Sequence, residues 1–369
     1  MRPTYLEVDL FQLRKNVAAI RAHVAPARVM VMVKANAYGH GVDGVAPFIE
    51  PYVDYFGVAL PEEGIHLREL EITRPILVAG ATLPEQVHFF AQYDLTLTGS
   101  SIELLQVAED ISRSTGRRIK THLKIDTGME RVGVHEYEAE ALIEKSAECS
   151  HLDIEGIYTH LANSELVDKS YSLLQLERFL EALRLYDKRG IPIPPLKHVC
   201  NSGGILNLPE AHFDLVRPGI LFYGVYPGSD VDRSVEVQPA LTWRSRVAYS
   251  KWVRPGRPVS YGSLWQAQAE TRIVTIPCGY ADGYFRRMTN QAQVIVNSRK
   301  YRQVGRICMD QFMVDVGEDE ARVGDEVVLL GRSGRESITT EDLAAWTGTN
   351  EYEVLTNISG RVPRLYVTG

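Results

Sequence analysis

Eight short apolar runs, each followed by a longer stretch, fill the first two thirds of this chain and constrain its fold more than any other feature. The runs are VMVMVKA beside Lys34, then YFGVAL, RPILVAG, LTLTG, IKTHLKID, IEGIYTH, KHVCNS and DLVRPG. They are apolar nearly throughout, so they read as strands buried on both faces, as parallel strands are. Between them, SIELLQVAEDISRSTG and YSLLQLERFLEALRLYDKRG place apolar residues three and four apart and stop at glycine, the pattern of capped amphipathic helices. Eight strands alternating with helices predict a (β/α)8 barrel of the TIM type, whose chemistry gathers at the C-terminal ends of its strands. Lys34, Asp126, His160, Ser202 and Arg217 all fall at or beside such ends.

Past residue 230 the pattern changes. PGSDVDRSVEVQPA reads as a linker, and ALTWRSRVAYSKWV, ETRIVTIP, QVIVNSRKYRQVGRI and DEVVLLGR read as short strands with frequent turns. One helical stretch, ITTEDLAAWTGTN, lies near the end. The expected division is a barrel over residues 1–232 and a mainly-β domain over 233–369. At 369 residues the chain has room for two domains of roughly 150 residues each.

Charge and composition exclude several classes. A formal charge of -7, with no run of Lys or Arg, offers no field for nucleic acid. No stretch reaches the roughly 18 apolar residues of a membrane span. The first residues, MRPTYLEVDLFQLRKNV, lack the build of a secretory signal. Cys149, Cys200, Cys278 and Cys308 are too scattered for a short-spaced zinc site or a disulfide framework. Together these predict a cytoplasmic protein.

Four groups of residues carry chemistry. In VMVKANAYGHG, Lys34 directly follows an apolar strand and precedes a small-residue loop; burial there lowers the amine's pKa and suits it to Schiff-base chemistry, though a strand end also suits a surface lysine. In LKIDTGMERVG, Asp126 closes a strand and a glycine turn brings up Arg131, whose guanidinium can grip a substrate carboxylate; an N-cap beside a surface arginine is the plainer reading. His160, Asn201-Ser202-Gly203-Gly204 and Arg217-Pro218-Gly219-Ile220 end the last strands. Their turns offer N–H groups and a hydroxyl to a phosphate, or are simply tight turns around a core histidine. In the second domain, VSYGSLW holds Tyr261, PCGYADGYFRR holds Tyr280, and GRICMDQFMVDVG holds Cys308, Met309 and Asp310. A tyrosine beside positive charge can act as an acid–base group, but among 18 tyrosines a lone one equally reads as packing.

VKANAYGHG, DTGMER, VRPGI, SYG, GYADGY and CMDQ, in this order and closed by YEVLTNISGRVPRLY, resemble the alanine racemase family over nearly the whole chain. The resemblance implies a pyridoxal 5'-phosphate barrel followed by a β-domain. It also implies a head-to-tail homodimer with shared active sites and a small amino acid, alanine, as substrate. Lys34 would hold the cofactor as a Schiff base and serve as one base, with Tyr261 of the partner subunit as the other. Arg131 would contact the cofactor's phenolic oxygen and the substrate carboxylate, which would also receive the backbone N–H of Met309 of the partner subunit. Tyr38, Ser202, Gly219, Ile220 and Tyr352 would hold the phosphate, and Arg217 would face the pyridine nitrogen with His160 hydrogen-bonded behind it. Lys124 matches a lysine that many members carry carbamylated and that positions Arg131; Tyr280, Cys308 and Asp310 would play supporting parts. A cation at the pyridine nitrogen weakens the ring as an electron sink and favours racemisation over transamination.

One departure lies at the entrance, where Glu165 stands in place of a frequent aspartate. It bears on the choice between alanine and serine or a broader set of amino acids. Two further readings are a decarboxylase of the same barrel type and a non-catalytic cofactor carrier. The SYG and GYADGY motifs oppose the first, and the second domain with Tyr261 opposes the second.

Overall fold

The computed structural model describes residues 2–368. They form two compact units. One takes residues up to Gln12, Tyr38–Gly41 and everything from Pro239 onward; the other takes Leu13–Ala37 and Val42–Gln238.

The larger unit is a closed parallel barrel. Its strands are Arg28–Met32, Tyr55–Val58, Ile76–Val78, Leu97–Gly99, Ile119–Asp126, Leu152–Tyr158, Leu196–His198 and Leu215–Val216, one from each of the eight apolar runs. Two parallel sheets supply most of the ring, and the bridge Leu77↔Thr96 joins them at one seam. At the other seam the Asp214 N–H donates to the Lys197 carbonyl at 3.1 Å and the Arg217 N–H to the Cys200 carbonyl at 2.9 Å. Val29, Val31, Phe56, Leu77, Leu97 and Leu123 are fully buried, as strands covered on both faces require.

The helices form where the sequence places their signals. Ile102–Thr115 starts at Ser101, whose hydroxyl accepts the Leu104 N–H at 3.1 Å, a cap worth about 1 kcal/mol. It stops at Gly116, in the left-handed conformation that glycine adopts without steric cost. Ser170–Arg189 ends in the same way at Gly190.

The smaller unit is built on a ten-stranded sheet. In order across it run Tyr249–Val253, Thr271–Ile276, Phe312–Gly317, Arg299–Val304, Gln293–Val296, Glu326–Ser333, Leu241–Arg246, Tyr5–Asp9 and Arg364–Val367, with Glu336–Ile338 beside Glu326–Ser333. ALTWRSRVAYSKWV and QVIVNSRKYRQVGRI each become two strands, and ITTEDLAAWTGTN becomes the helix Thr340–Thr347. Tyr5–Asp9 is an addition that the sequence did not announce: it pairs antiparallel with Leu241–Arg246 and parallel with Arg364–Val367. A five-residue strand whose partners lie more than 200 positions away has no local signal beyond its alternation of buried and half-buried residues.

Candidate active site

In the barrel unit, Lys34 leaves its strand through an unusual turn. Ala35, Asn36, Ala37 and Tyr38 have φ of 52°, 54°, 53° and 50°, a left-handed helical turn without glycine. Each such residue costs roughly 1–2 kcal/mol, so the turn persists only because its surroundings fix it. The Glu63 carboxylate accepts the N–H of Ala35 at 2.7 Å and that of Ala59 at 2.8 Å, and the Asn36 side chain accepts the Val42 N–H at 2.8 Å. The amine of Lys34 is half-buried. Burial, and then the nearby charge of Arg131, hold its pKa below the ordinary lysine range, against an opposing pull from Glu63.

Asp126 ends the fifth barrel strand, and its carboxylate accepts the N–H groups of Gly128 at 2.9 Å, Met129 at 2.8 Å and Arg131 at 3.0 Å. It therefore shapes the turn that carries Arg131, whose side chain is exposed. Two residues earlier on the same face, Lys124 is buried with its Nζ 4.3 Å from the centre of the Tyr158 ring. Burial, then Arg217, holds its pKa well below the usual value.

Arg217 is buried and fully engaged. Its Nη1 donates to Nδ1 of His198 at 2.8 Å; its Nη2 reaches the carbonyls of Thr159 at 2.8 Å and Val199 at 3.0 Å and Nδ1 of His160 at 3.3 Å. The guanidinium also lies 5.2 Å from the centre of the Tyr158 ring. Burial and then Arg217 push both His160 and His198 far below the ordinary histidine range, so both imidazoles are neutral. Desolvation lowers Arg217 itself to about 10, leaving it cationic at neutral pH. The turns after the last two strands are tied together by Ser202, whose hydroxyl accepts the N–H of Gly219 at 3.0 Å and of Leu221 at 3.3 Å. Gly219 and Ile220 are buried there.

The β unit carries its candidates differently. Tyr261 is 71% exposed, on a turn where Ser260, Gly262 and Ser263 all have positive φ; Ser260 is held by its hydroxyl, which donates to the Arg306 carbonyl at 2.6 Å. Tyr280 and Met309 are exposed too. Their two loops are tied by N–H bonds from Tyr280 to the Cys308 carbonyl at 3.1 Å and from Ala281 to the Met309 carbonyl at 3.0 Å. Asp310 accepts Arg361 at 2.8 Å; the same arginine reaches buried Asp282 at 3.1 Å, and Arg2 reaches Asp282 at 2.6 Å. The rings of Tyr38 and Tyr352, both in this unit, lie 6.1 Å apart.

Residues 8–227 match the family described as alanine racemase, N-terminal domain, and residues 240–366 the family described as alanine racemase, C-terminal domain. The chain belongs to the alanine racemase family. It is 45% identical over 370 residues to an alanine racemase of Carboxydothermus hydrogenoformans, covering all of both chains. It matches a solved alanine racemase of Clostridium difficile 630 with a TM-score of 0.94 at 37% identity, over 100% of this chain and 96% of that one. It also matches one of Bartonella henselae with covalently bound pyridoxal phosphate, with a TM-score of 0.90 at 28% identity over 100% of both. As an alanine racemase family member, the chain is a pyridoxal-phosphate-dependent isomerase of alanine.

The structure adds residues that the sequence reading passed over. His122, Tyr158 and His198 pack around Arg217 and Lys124 inside the barrel. Tyr158 stacks on His198 with ring centres 4.5 Å apart, and Nδ1 of His122 lies 2.8 Å from Nε2 of His198. A signal for some of them was present: His122, Lys124 and Asp126 alternate along one strand, as do Tyr158 and His160 along the next. Polar groups at period two within an apolar strand face one side together.

Proposed function

We propose that Lys34 and Tyr261 of the partner subunit are the two acid–base groups of alanine racemisation, working on opposite faces of the substrate in a head-to-tail homodimer. The observation that carries this is the Lys34 amine at the barrel's catalytic end, with its proton affinity lowered by burial and by Arg131. The donor set fits pyridoxal 5'-phosphate. An amine of lowered pKa suits the aldehyde carbon, and buried turn N–H groups beside the Ser202 hydroxyl suit a phosphate. A guanidinium suits an unprotonated ring nitrogen. The cofactor, when bound, supplies the electron sink that acidifies the bond between Cα and hydrogen.

The chain's own residues decide the rest. Lys34, its proton affinity lowered by burial and by Arg131, can take or return a proton at Nζ. Tyr261, exposed on a strained turn, is free to serve a second molecule. Arg131, held by Asp126 through its backbone, grips the substrate carboxylate, with Lys124, carbamylated as in many family members, positioning it and the N–H of Met309 of the partner subunit as a second donor. Arg217, with His160 behind it, would face the ring nitrogen and, being cationic, would disfavour protonation there. Ser202, Gly219, Ile220, Tyr38 and Tyr352 take the phosphate; burial raises the Tyr38 phenol, which therefore stays a donor. Tyr280, Cys308 and Asp310 support the loops of the β-domain. In this reading the functional division is residues 1–232 and 233–369, and the enzyme works in the cytoplasm on small amino acids. Among the described residues no helix is long and apolar enough to cross a membrane.

The test is incubation of cofactor-loaded protein with L-alanine in heavy water, followed by resolution of the enantiomers. D-Alanine carrying α-deuterium is the expected product. Visible cofactor absorbance without exchange on alanine, serine or larger amino acids would leave only a carrier.

A further inference from the structure

Arg217 is one end of a hydrogen-bonded chain that runs down the barrel interior. Its Nη1 reaches Nδ1 of His198 at 2.8 Å; Nε2 of His198 reaches Nδ1 of His122 at 2.8 Å; Nε2 of His122 reaches a carboxylate oxygen of Glu155 at 3.3 Å. The Tyr55 hydroxyl donates to the same oxygen. His122 and His198 are fully buried, and their rings lie 5.0 Å apart.

Two backbone features place this chain. The strand pairing shifts register between Thr121 and His122: Thr121 faces Ile154, His122 faces Gly156, and Glu155 is the extra residue of the bulge. A bulge re-aims a side chain, and here it turns Glu155 toward the same imidazole that its neighbour accommodates. Gly156 leaves the room, since a Cβ there would lie 2.5 Å from Cγ and Nδ1 of His122. Carboxylate, gap and imidazole are thus supplied by one irregular stretch of strand.

The protonation pattern follows from donor chemistry. A guanidinium only donates. The Nδ1 of His198 must therefore accept, which leaves the proton of a neutral ring on Nε2. That proton points at Nδ1 of His122, which must accept in turn, and the second ring's Nε2–H points at Glu155. An ionised carboxylate only accepts, so the chain closes without conflict. Every bond runs the same way, from Arg217 to Glu155.

We propose that Glu155 is a positioning residue for Arg217: acting through His122 and His198, it fixes the tautomer of both rings and so the orientation of the guanidinium at the far end. The inference rests on the reading above in which Arg217 serves the cofactor's ring nitrogen. Charges and titratable groups facing the chain agree with it. Arg217, Lys124 and the stacked Tyr158 surround His198, and burial followed by Arg217 keeps that ring neutral. Tyr55 and Glu155 face His122. Burial alone would raise the Glu155 carboxyl, but hydrogen bonds from His122 and Tyr55 bring it below its ordinary value, so it is ionised at neutral pH.

Imidazole 15N NMR of the cofactor-free wild-type protein tests the direction directly. His198 should be neutral and carry its proton on Nε2 throughout pH 6–9, a window roughly centred above the free histidine pKa of about 6.5, and His122 should present an Nε2–H to Glu155. A proton on Nδ1 of His198, or titration of that ring in the window, overturns the proposal. Glu155→Leu removes the terminal acceptor and should give His198 a mixture of tautomers; in the loaded enzyme kcat should fall about tenfold with KM unchanged, as loss of an outer partner does elsewhere. Glu155→Gln, whose carbonyl accepts the same bond, should restore most of both. An unaltered His198 tautomer in Glu155→Leu also overturns the proposal. An altered tautomer with unchanged kcat would leave Glu155 in its positioning role and instead remove Arg217 from the chemistry. If Glu155→Leu fails to fold, the wild-type spectrum still decides.

Discussion

The barrel and the β unit carry their chemistry in opposite ways. In the barrel, Lys124 and Arg217 are 5% and 4% exposed, packed against neutral histidines and a tyrosine ring. In the β unit the candidate groups Tyr261 and Met309 are 71% and 52% exposed, and the buried charge of Asp282 is matched by two arginines. Buried groups acquire shifted proton affinities and depend on every neighbour. Exposed groups depend mainly on the turn that presents them. The barrel holds buried groups whose electrostatics are set in advance; the β unit offers exposed loops, which the proposed function assigns to the active site of a partner subunit.

The contrast should break first at Lys34. Lys34→Ala should abolish the visible absorbance of bound cofactor and reduce turnover by at least about 10⁴-fold. Absorption spectra and a racemisation assay check this. Retained turnover would move the chemistry off the barrel strand end and remove the main distinction between the two units.

Arg217→Glu comes next. It should lower racemisation by about 10²-fold and raise the fraction of turnovers that end in transamination, because a carboxylate beside the ring nitrogen favours its protonation. It should also destabilise the protein by about 3 kcal/mol, since it leaves the carbonyls of Thr159 and Val199 and the ring of His198 without their donor. Chromatography of pyruvate against D-alanine, with denaturant unfolding, measures both. An unchanged partition would show that the buried cation serves the fold and not the reaction.

Tyr261→Phe is the counterpart on the exposed side. Stability should stay within about 0.5 kcal/mol, as for a surface substitution. Exchange of the α-hydrogen should fall by about 10²-fold from one enantiomer and far less from the other. Equal loss of exchange from both would deny the tyrosine a single face. A large loss of stability would mean that the turn itself, with its three positive φ values, needs the hydroxyl.

Much of this was legible in the sequence, for physical reasons that differ by region. All eight barrel strands were visible because burial on both faces makes each an apolar run. The helix ends were visible because Gly116 and Gly190 act within a few residues of the ends they cap. Tyr5–Asp9 stayed hidden, since its partners are distant strands. The Glu155 bulge was equally hidden: a one-residue shift of register leaves no trace in composition. His122 and His198 drew no notice because only their pairing with each other, 76 positions apart, distinguishes them. The left-handed turn after Lys34 was masked as well. ANAY contains no glycine to announce it, and Glu63, which holds it, lies on another segment.

The smallest effect tests the electrostatic half of the comparison on its own. Lys124 is buried, and burial followed by Arg217 keeps its folded pKa well below that of the unfolded chain, where a lysine titrates at about 10.4. Between those two values the unfolded chain binds a proton that the folded protein lacks, so stability rises with pH by up to about 1.4 kcal/mol per unit. Below the folded value both states are protonated and the whole cost of the buried cation is present; above about 10.4 it is gone. Lys124→Met keeps a similar stem without the charge and should remove that part of the slope. The measurement is urea unfolding of cofactor-free protein in carbon-dioxide-free buffer from pH 7 to 10, which keeps the amine unmodified. The advantage of the variant over wild type should shrink as pH rises. Parallel curves would mean that the amine bears no such cost, and the barrel's electrostatic distinction from the β unit would then rest on Arg217 alone.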